Sequence, residues 1–208
     1  MFTLYYAPGA CSLSVHIVME WLKEPYNAIK VDPSSDEFRK LNPAGQVPTF
    51  ITPEKVTLTQ CAAILRYLSR RFPAAKLADD SSPESSAETE RWSAFLTGDL
   101  HPAFFPVFMP GRYTVATDDE SLKNVKAAGL DLVRKKLAIL DAVLQDRPFY
   151  TGRERSYVDA YSVPMVRWAT KVLPEGLKGY PNVKNHHEHM LADPAVVRAM
   201  TAEGLLGS

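Results

Sequence analysis

Two thiols and five imidazoles are the side chains here best suited to nucleophilic or metal chemistry: Cys11, Cys61, His16, His101, His186, His187 and His189. The cysteines lack the Cys-x-x-Cys spacing of a zinc site or dithiol redox motif. In "HHEH", His186 and His189 share a helix face, but no further Cys or carboxylate pattern supports them. That segment reads as a solvated helix face, and no metal is expected. Cys11 is different. It stands in "LYYAPGACSLSVHIV", just after a Pro-Gly turn, where a strand pattern becomes a helix pattern. A thiol there meets the positive end of a helix dipole, which favours the thiolate; the alternative is a small inert residue packed at a tight turn. His101, in "DLHPAFF", has aromatic neighbours suited to a pocket wall. It could orient a thiol or take its proton, or it could be an ordinary surface or core histidine.

These groups need elements to position them. Residues 2–6 (FTLYY) read as a strand, and Leu13, Ile17, Val18, Trp21 and Leu22 recur at helical spacing over 12–22. Ser12 and Ser14 offer hydroxyls to the first helical amides. A second strand at 26–31 completes a βαβ unit, which predicts parallel pairing with a right-handed crossover. Two short strands at 49–52 and 56–58 form a hairpin around Pro53, Glu54 and Lys55, followed by a helix at about 60–72. Residues 78–85, poor in large apolar side chains, read as a linker. Helical patterns follow at 84–109, 119–145, 156–172, 181–191 and 194–202. Pro102 and Pro106 should bend the first of these, and Pro164 should kink the third. Ser156 and Asp159 have capping-box spacing and are assigned to folding.

Composition narrows the function classes. Lys plus Arg and Asp plus Glu are 24 each in 208 residues, so there is no electrostatic case for nucleic acid or an anionic membrane. No apolar run approaches a membrane span, and "MFTLYY" lacks the basic and apolar stretches of a signal peptide, so a cytoplasmic location is expected. Residues 1–76 hold nine basic and six acidic residues, a mild excess that suits an anionic small molecule.

Two further motifs complete the pattern. In "GQVPTF", Pro48 opens a strand, which places it at an edge or in a cis bond at a tight turn. In "LTQCAAILRYL", Gln60 stands at a helix start, where free amides can hold a carboxylate. With "LYYAPGACSLSVHIV", "NPAGQVPTF" and "SYVDAY", the chain resembles the bacterial beta class of glutathione S-transferases over essentially its whole length.

The resemblance implies a thioredoxin-like α+β domain (β-α-β-β-β-α-like, residues 1–77), the linker 78–85, an all-α domain (86–208) and a homodimer. It implies an enzyme that joins glutathione, its co-substrate, to small hydrophobic electrophiles in detoxification. Cys11 matches the cysteine that meets the glutathione sulfur and can form a mixed disulfide with it. His101 matches the histidine that reaches the thiol from the helical domain, although Pro102 departs from the usual lysine or alanine. Val47, before cis-Pro48, should pair with the glutathione backbone, while Gln60 and the amide of Cys61 hold the γ-glutamyl end. Most relatives have Ser or Asn where Cys61 stands. If the two cysteines contact opposite ends of the tripeptide, no Cys11–Cys61 disulfide is expected. The group stabilising the thiolate is left among Cys11, Ser12 and Tyr6, with Tyr6 more readily a packed aromatic. Phe104, Phe105, Phe108 and Trp168 are candidate walls of the electrophile pocket, though the three phenylalanines cannot all face one way. The rival functions are a glutathione-dependent thiol-disulfide reductase or peroxidase through Cys11, and a non-catalytic binder of hydrophobic ligands.

Overall fold

In the computed structural model, which describes residues 1–206, four strands form one mixed sheet of order β2-β1-β3-β4. β1 (Phe2–Tyr6) runs parallel to β2 (Tyr26–Lys30), with Phe2 opposite Tyr26. On its other side β1 pairs antiparallel with β3 (Thr49–Ile51), which pairs antiparallel with β4 (Thr57–Thr59). Alternation along β1 buries Phe2, Leu4 and Tyr6 on one face. Tyr5, on the opposite face, lies 6.3 Å from the ring of Phe38.

Between β1 and β2 runs α1 (Leu13–Leu22), and α3 (Cys61–Arg71) follows β4. α2 (Asp36–Leu41), a short helix that the sequence pattern leaves as loop, is capped by Ser35 Oγ accepting from Phe38 N–H at 3.3 Å. It buries only Phe38, too little for an amphipathic period to show.

α4 (Pro83–Ala94) begins next to the helical pattern expected from 84 and overlaps the end of the segment 78–85 read as linker, with Ser82 as its N-cap. The single helix expected over 84–109 is broken. A π-helical stretch (Phe95–Leu100) leads into α5 (His101–Ala103) and α6 (Phe105–Phe108). Pro102 and Pro106 have no N–H for the helical ladder, so the hydrogen bonding is re-spaced around them. α7 (Asp119–Val143) packs on α6 at Gly129, where a Cβ would lie only 2.9 Å from Val107 Cγ2. α8 (Tyr157–Val172), α9 (Pro181–Leu191) and α10 (Pro194–Ala202) complete the fold; residues 207 and 208 of the expected second domain lie outside the described residues. α1 is packed against α3, α8 and α10, which explains why it is buried on nearly every side.

Asp159 organises the start of α8. Its carboxylate accepts from Ser156 N–H at 2.7 Å, Ser156 Oγ at 3.0 Å and Tyr150 N–H at 3.1 Å. His186 Nε2 lies 2.9 Å from Asp159 Oδ1. This overturns the reading of "HHEH" as a solvated face: His186 and His187 are buried, and the first is a structural partner of the capping box. A buried carboxylate with four partners is costly to remove, because each donor is then left unpaired. Asp159→Ala should lower the unfolding free energy by about 3–5 kcal/mol. Urea denaturation at neutral pH measures this, and a loss below about 1 kcal/mol would show the network to be dispensable.

Candidate functional site

The loop between β1 and α1 carries Cys11, and its shape is set from the helical domain. Gly9 has φ +70°, the left-handed region that favours glycine. Its N–H donates to Glu203 Oε2 at 2.8 Å, and its carbonyl accepts from Trp168 Nε1 at 2.8 Å. Arg167 Nη1 would lie 2.9 Å from any Cβ at this position. The expected serine caps do not form: Ser12 Oγ lies 3.4 Å from both the N–H and the carbonyl of Ala7, and Ser14 Oγ donates to Cys11 O at 2.7 Å. Helical turns already occupy these amides, which bond to Ala10, Cys11 and Ser12 carbonyls.

Cys11 is partly exposed and opens onto a cavity of about 570 Å³ between the domains. The thiol is pulled below its ordinary pKa, chiefly by a hydrogen bond from the Cys61 thiol and also by the N–H groups of Cys11 and Ser12, against the opposing effect of burial. In the protonated state its Sγ donates to Val47 O at 3.4 Å. Val47 precedes Pro48 through a cis peptide bond, and both line the cavity. Asn42 holds this segment: its Nδ2 donates to Gln46 O at 2.7 Å and Thr49 Oγ1 at 3.0 Å.

Across the cavity, α3 presents its N-terminus. Gln60 adopts φ +68° without being glycine, a strained conformation of the kind found at binding sites. The first intrahelical bond there is Ile64 N–H to Gln60 O, so the amides of Cys61, Ala62 and Ala63 lack helical partners. Gln60, Cys61 and Ala62 line the cavity, as does Thr59. Such an end attracts a carboxylate.

The third wall is His101. Its Nδ1 lies 2.7 Å from Tyr161 Oη. Burial holds the imidazole neutral, with its pKa lowered to about 4, and raises that of Tyr161 far beyond the ordinary range. The tyrosine hydroxyl therefore keeps its proton, and no other acceptor for it occurs among the described residues. Donation from Oη to Nδ1 leaves the imidazole proton on Nε2, a neutral donor beside the cavity. Rings of Phe105 and Trp168 each lie 5.1 Å from that of His101 and complete the apolar wall.

Several expected site residues lie elsewhere. Ser12 is fully buried within the loop, and Tyr6 packs inward with its ring 5.4 Å from His16. Phe104 is fully buried, off the cavity wall, edge-on to Trp168 at 5.5 Å. Phe108 is 46% exposed and stacks on Phe104 from outside the lining. In contrast, Tyr161, Asn42, Thr97 and Pro102 line the cavity and were not singled out for it. Tyr161 lies inside "SYVDAY", within the helical pattern 156–172, but no local spacing connects it to a partner sixty residues away. Cys11 and Cys61, expected at opposite ends of a ligand, are neighbours: Cys61 Sγ lies 3.4 Å from Cys11 O. Among the described residues, no group of three His, Cys, Asp or Glu side chains could hold a metal, and no helix is long and apolar enough to cross a membrane.

Comparisons with known proteins point to one family. Residues 9–71 match the N-terminal domain of glutathione S-transferase, and residues 100–194 match its C-terminal domain. The chain is 37% identical over 205 residues to glutathione S-transferase GST-4.5 of Xanthomonas campestris pv. campestris, spanning 97% of this chain and 98% of that protein. A glutathione S-transferase structure from Xylella fastidiosa superposes with a TM-score of 0.91 at 33% identity, over 99% of this chain and all of the other. A bacterial beta class glutathione S-transferase from Sphingomonas chungbukensis gives 0.86 at 33% identity, over 98% of this chain and 100% of that one.

The neutral state of His101 has a measurable consequence for stability. Its folded pKa of about 4 lies below the ordinary 6.5, so between these values the unfolded chain takes up a proton that the folded chain refuses. Stability is therefore unaffected above pH ~6.5 and falls as pH drops towards 4, with His101 accounting for up to about 3 kcal/mol. His187 is shifted in the same direction by burial and contributes its own loss. Urea denaturation from pH 7 to 4 should show His101→Gln losing about 3 kcal/mol less than wild type. Equal acid sensitivity in the two proteins would mean that His101 is protonated in the fold.

Proposed function

The chain belongs to the glutathione S-transferase family, and we propose that it joins the glutathione thiolate to small hydrophobic electrophiles in a detoxifying conjugation. One observation carries this reading. A pKa-lowered thiol, a neutral imidazole donor and the open N-terminus of α3 face a single cavity with an aromatic wall.

In this reading the γ-glutamyl carboxylate takes the free amides at the start of α3 and the Gln60 side chain, which places the tripeptide across the cavity. Its backbone pairs with Val47, and its sulfur meets Cys11 and the N–H groups of Cys11 and Ser12. His101 Nε2–H donates to the same sulfur. Because Nδ1 is taken by Tyr161, the imidazole acts as a donor that holds the thiolate, and the thiol proton leaves to solvent. The sulfur then forms a bond to the electrophilic carbon while the leaving group departs with its electron pair. Phe105, Trp168 and Pro102 supply the apolar surface for the second substrate. Phe104 and Phe108 act behind that wall by holding Trp168, whose ring lies 5.3 Å from that of Phe108.

A cytoplasmic setting fits two cysteines that are both free in the fold. A homodimer fits the outer face of α7, where Leu132 and Ile139 are both exposed and spaced two helical turns apart.

Two measurements test this function. Gln60→Ala should weaken glutathione binding by about 1–3 kcal/mol, since a charged carboxylate loses a partner. Calorimetry giving equal affinity in mutant and wild type would remove Gln60 from the site. Sedimentation at micromolar concentration should show twice the 23.2 kDa chain mass; a single species at the monomer mass would refute the dimer.

A further inference from the structure

Conjugation needs one thiol, that of glutathione, yet the structure sets two protein thiols side by side at the same cavity. Cys11 precedes α1, and Cys61 opens α3; the two helices pack together. Cys61 Sγ donates to Cys11 O at 3.4 Å while both thiols are protonated, and Ser14 Oγ lies 3.7 Å from that sulfur. Through this contact the Cys61 thiol sits against the Cys11 residue, and it is the first influence that lowers the Cys11 pKa. Cys61 is only 6% exposed, which leaves Cys11 as the thiol that outside reagents meet first.

We propose that Cys11 and Cys61 form a reversible intramolecular disulfide by exchange with glutathione disulfide, giving a second, thiol–disulfide oxidoreductase activity in which Cys61 resolves the intermediate on Cys11. The oxidant rests on the glutathione-binding reading above; the pairing of the thiols does not.

The exchange balances in two steps. The Cys11 thiolate attacks one sulfur of glutathione disulfide, the Cys11–glutathione bond forms, and the original disulfide bond breaks. One glutathione leaves as a thiolate and takes a proton from solvent. Cys61 then releases its proton and attacks Cys11 Sγ, forming the Cys11–Cys61 bond and expelling the second glutathione, which takes up a proton. Overall the two protein thiols lose two electrons and two protons, and glutathione disulfide gains them. Two molecules of glutathione reverse the cycle.

The order of attack follows from the electrostatics. Burial holds the Cys61 proton in place, and the Cys11 thiolate holds it more tightly still. Once Cys11 is capped by glutathione its charge is gone, and that second restraint disappears. Cys61 is thus quiet while Cys11 is free and becomes a nucleophile when the mixed disulfide exists.

The test is intact mass and thiol counting after incubation with glutathione disulfide at neutral pH, followed by acid quench and alkylation. Wild type should lose two hydrogens, resist alkylation at both cysteines and yield one linked Cys11–Cys61 peptide. Cys61→Ser and Cys61→Ala should instead hold one glutathionyl group on Cys11, and Cys11→Ser should carry neither adduct nor link. A parallel incubation with diamide, a small thiol oxidant that needs no glutathione site, should give the same linked peptide. Linkage with diamide but not with glutathione disulfide would uphold the thiol pair and refute the glutathione reading. Wild type accumulating the glutathionyl adduct as fully as Cys61→Ser, with no linked peptide from either oxidant, would overturn the proposal.

Discussion

The placement of the Cys11 thiol depends on how Gly9 is gripped. Both polar atoms of its peptide units are taken by the helical domain: the N–H by Glu203, the carbonyl by Trp168. Glu203 is itself buried, with its second oxygen 3.1 Å from His16 Nδ1 on α1. A buried carboxylate is tolerated only when its oxygens are satisfied, so α1, α10 and the loop must assemble together. The consequence is mechanical. Neither domain can shift against the other without releasing the turn that aims the thiol. Ion pairs from Arg66 to Asp80 and Glu90, and a hydrogen bond from Tyr157 N–H to Leu77 O, tie the same boundary on the other side of the molecule.

Within the cleft, burial pushes groups toward neutrality, and the geometry selects one exception. His101 loses its charge, Tyr161 keeps its proton, and Cys61 keeps its own, each chiefly because the surroundings cannot solvate an ion. Cys11 alone moves the other way, because a thiol and two backbone N–H groups point at its sulfur. The site therefore stabilises a thiolate with oriented dipoles rather than with a counter-charge. Such dipoles need no reorganisation when charge develops, and they lose less to added salt than an exposed cation would.

What the sequence shows of this site follows how local each feature is. The Pro-Gly turn before Cys11, Val47-Pro48, and Gln60 at a helix start are readable because each is a backbone device confined to a few residues. The βαβ unit and the capping box at Ser156 and Asp159 are readable for the same reason. His101 rests on resemblance, because its role depends on Tyr161, which no spacing connects to it. The aromatic run misleads in part. Periodicity shows that Phe104, Phe105 and Phe108 diverge, but the re-spaced turns around Pro102 and Pro106 decide that Phe105 faces the cavity while Phe104 faces the core. "HHEH" misleads because its acceptor, Asp159, lies on another helix. A polar string gives no sign that a distant carboxylate will pay for its burial.

Cys61 shows how one atom can change the logic of a shared framework. At the first position of α3 its backbone N–H has no helical partner whatever the side chain. A hydroxyl or amide would add a stronger hydrogen bond to a ligand. The thiol gives up part of that hold, but its larger, more polarizable sulfur is accommodated in a buried niche between Cys11 O and Ser14 Oγ. Its proton is then directed toward the Cys11 sulfur, where it lowers that thiol's pKa more than either backbone amide does. The Cys61 side chain thus acts chiefly on the Cys11 end of the cavity. Tyr161 follows the same balance: burial, aided by the negative charge of a Cys11 thiolate, raises its pKa and keeps its proton available to His101. Donor order across the cleft, from Tyr161 to His101 and from Cys61 to Cys11, is therefore fixed by a single requirement, that the negative charge reside on the exposed sulfur.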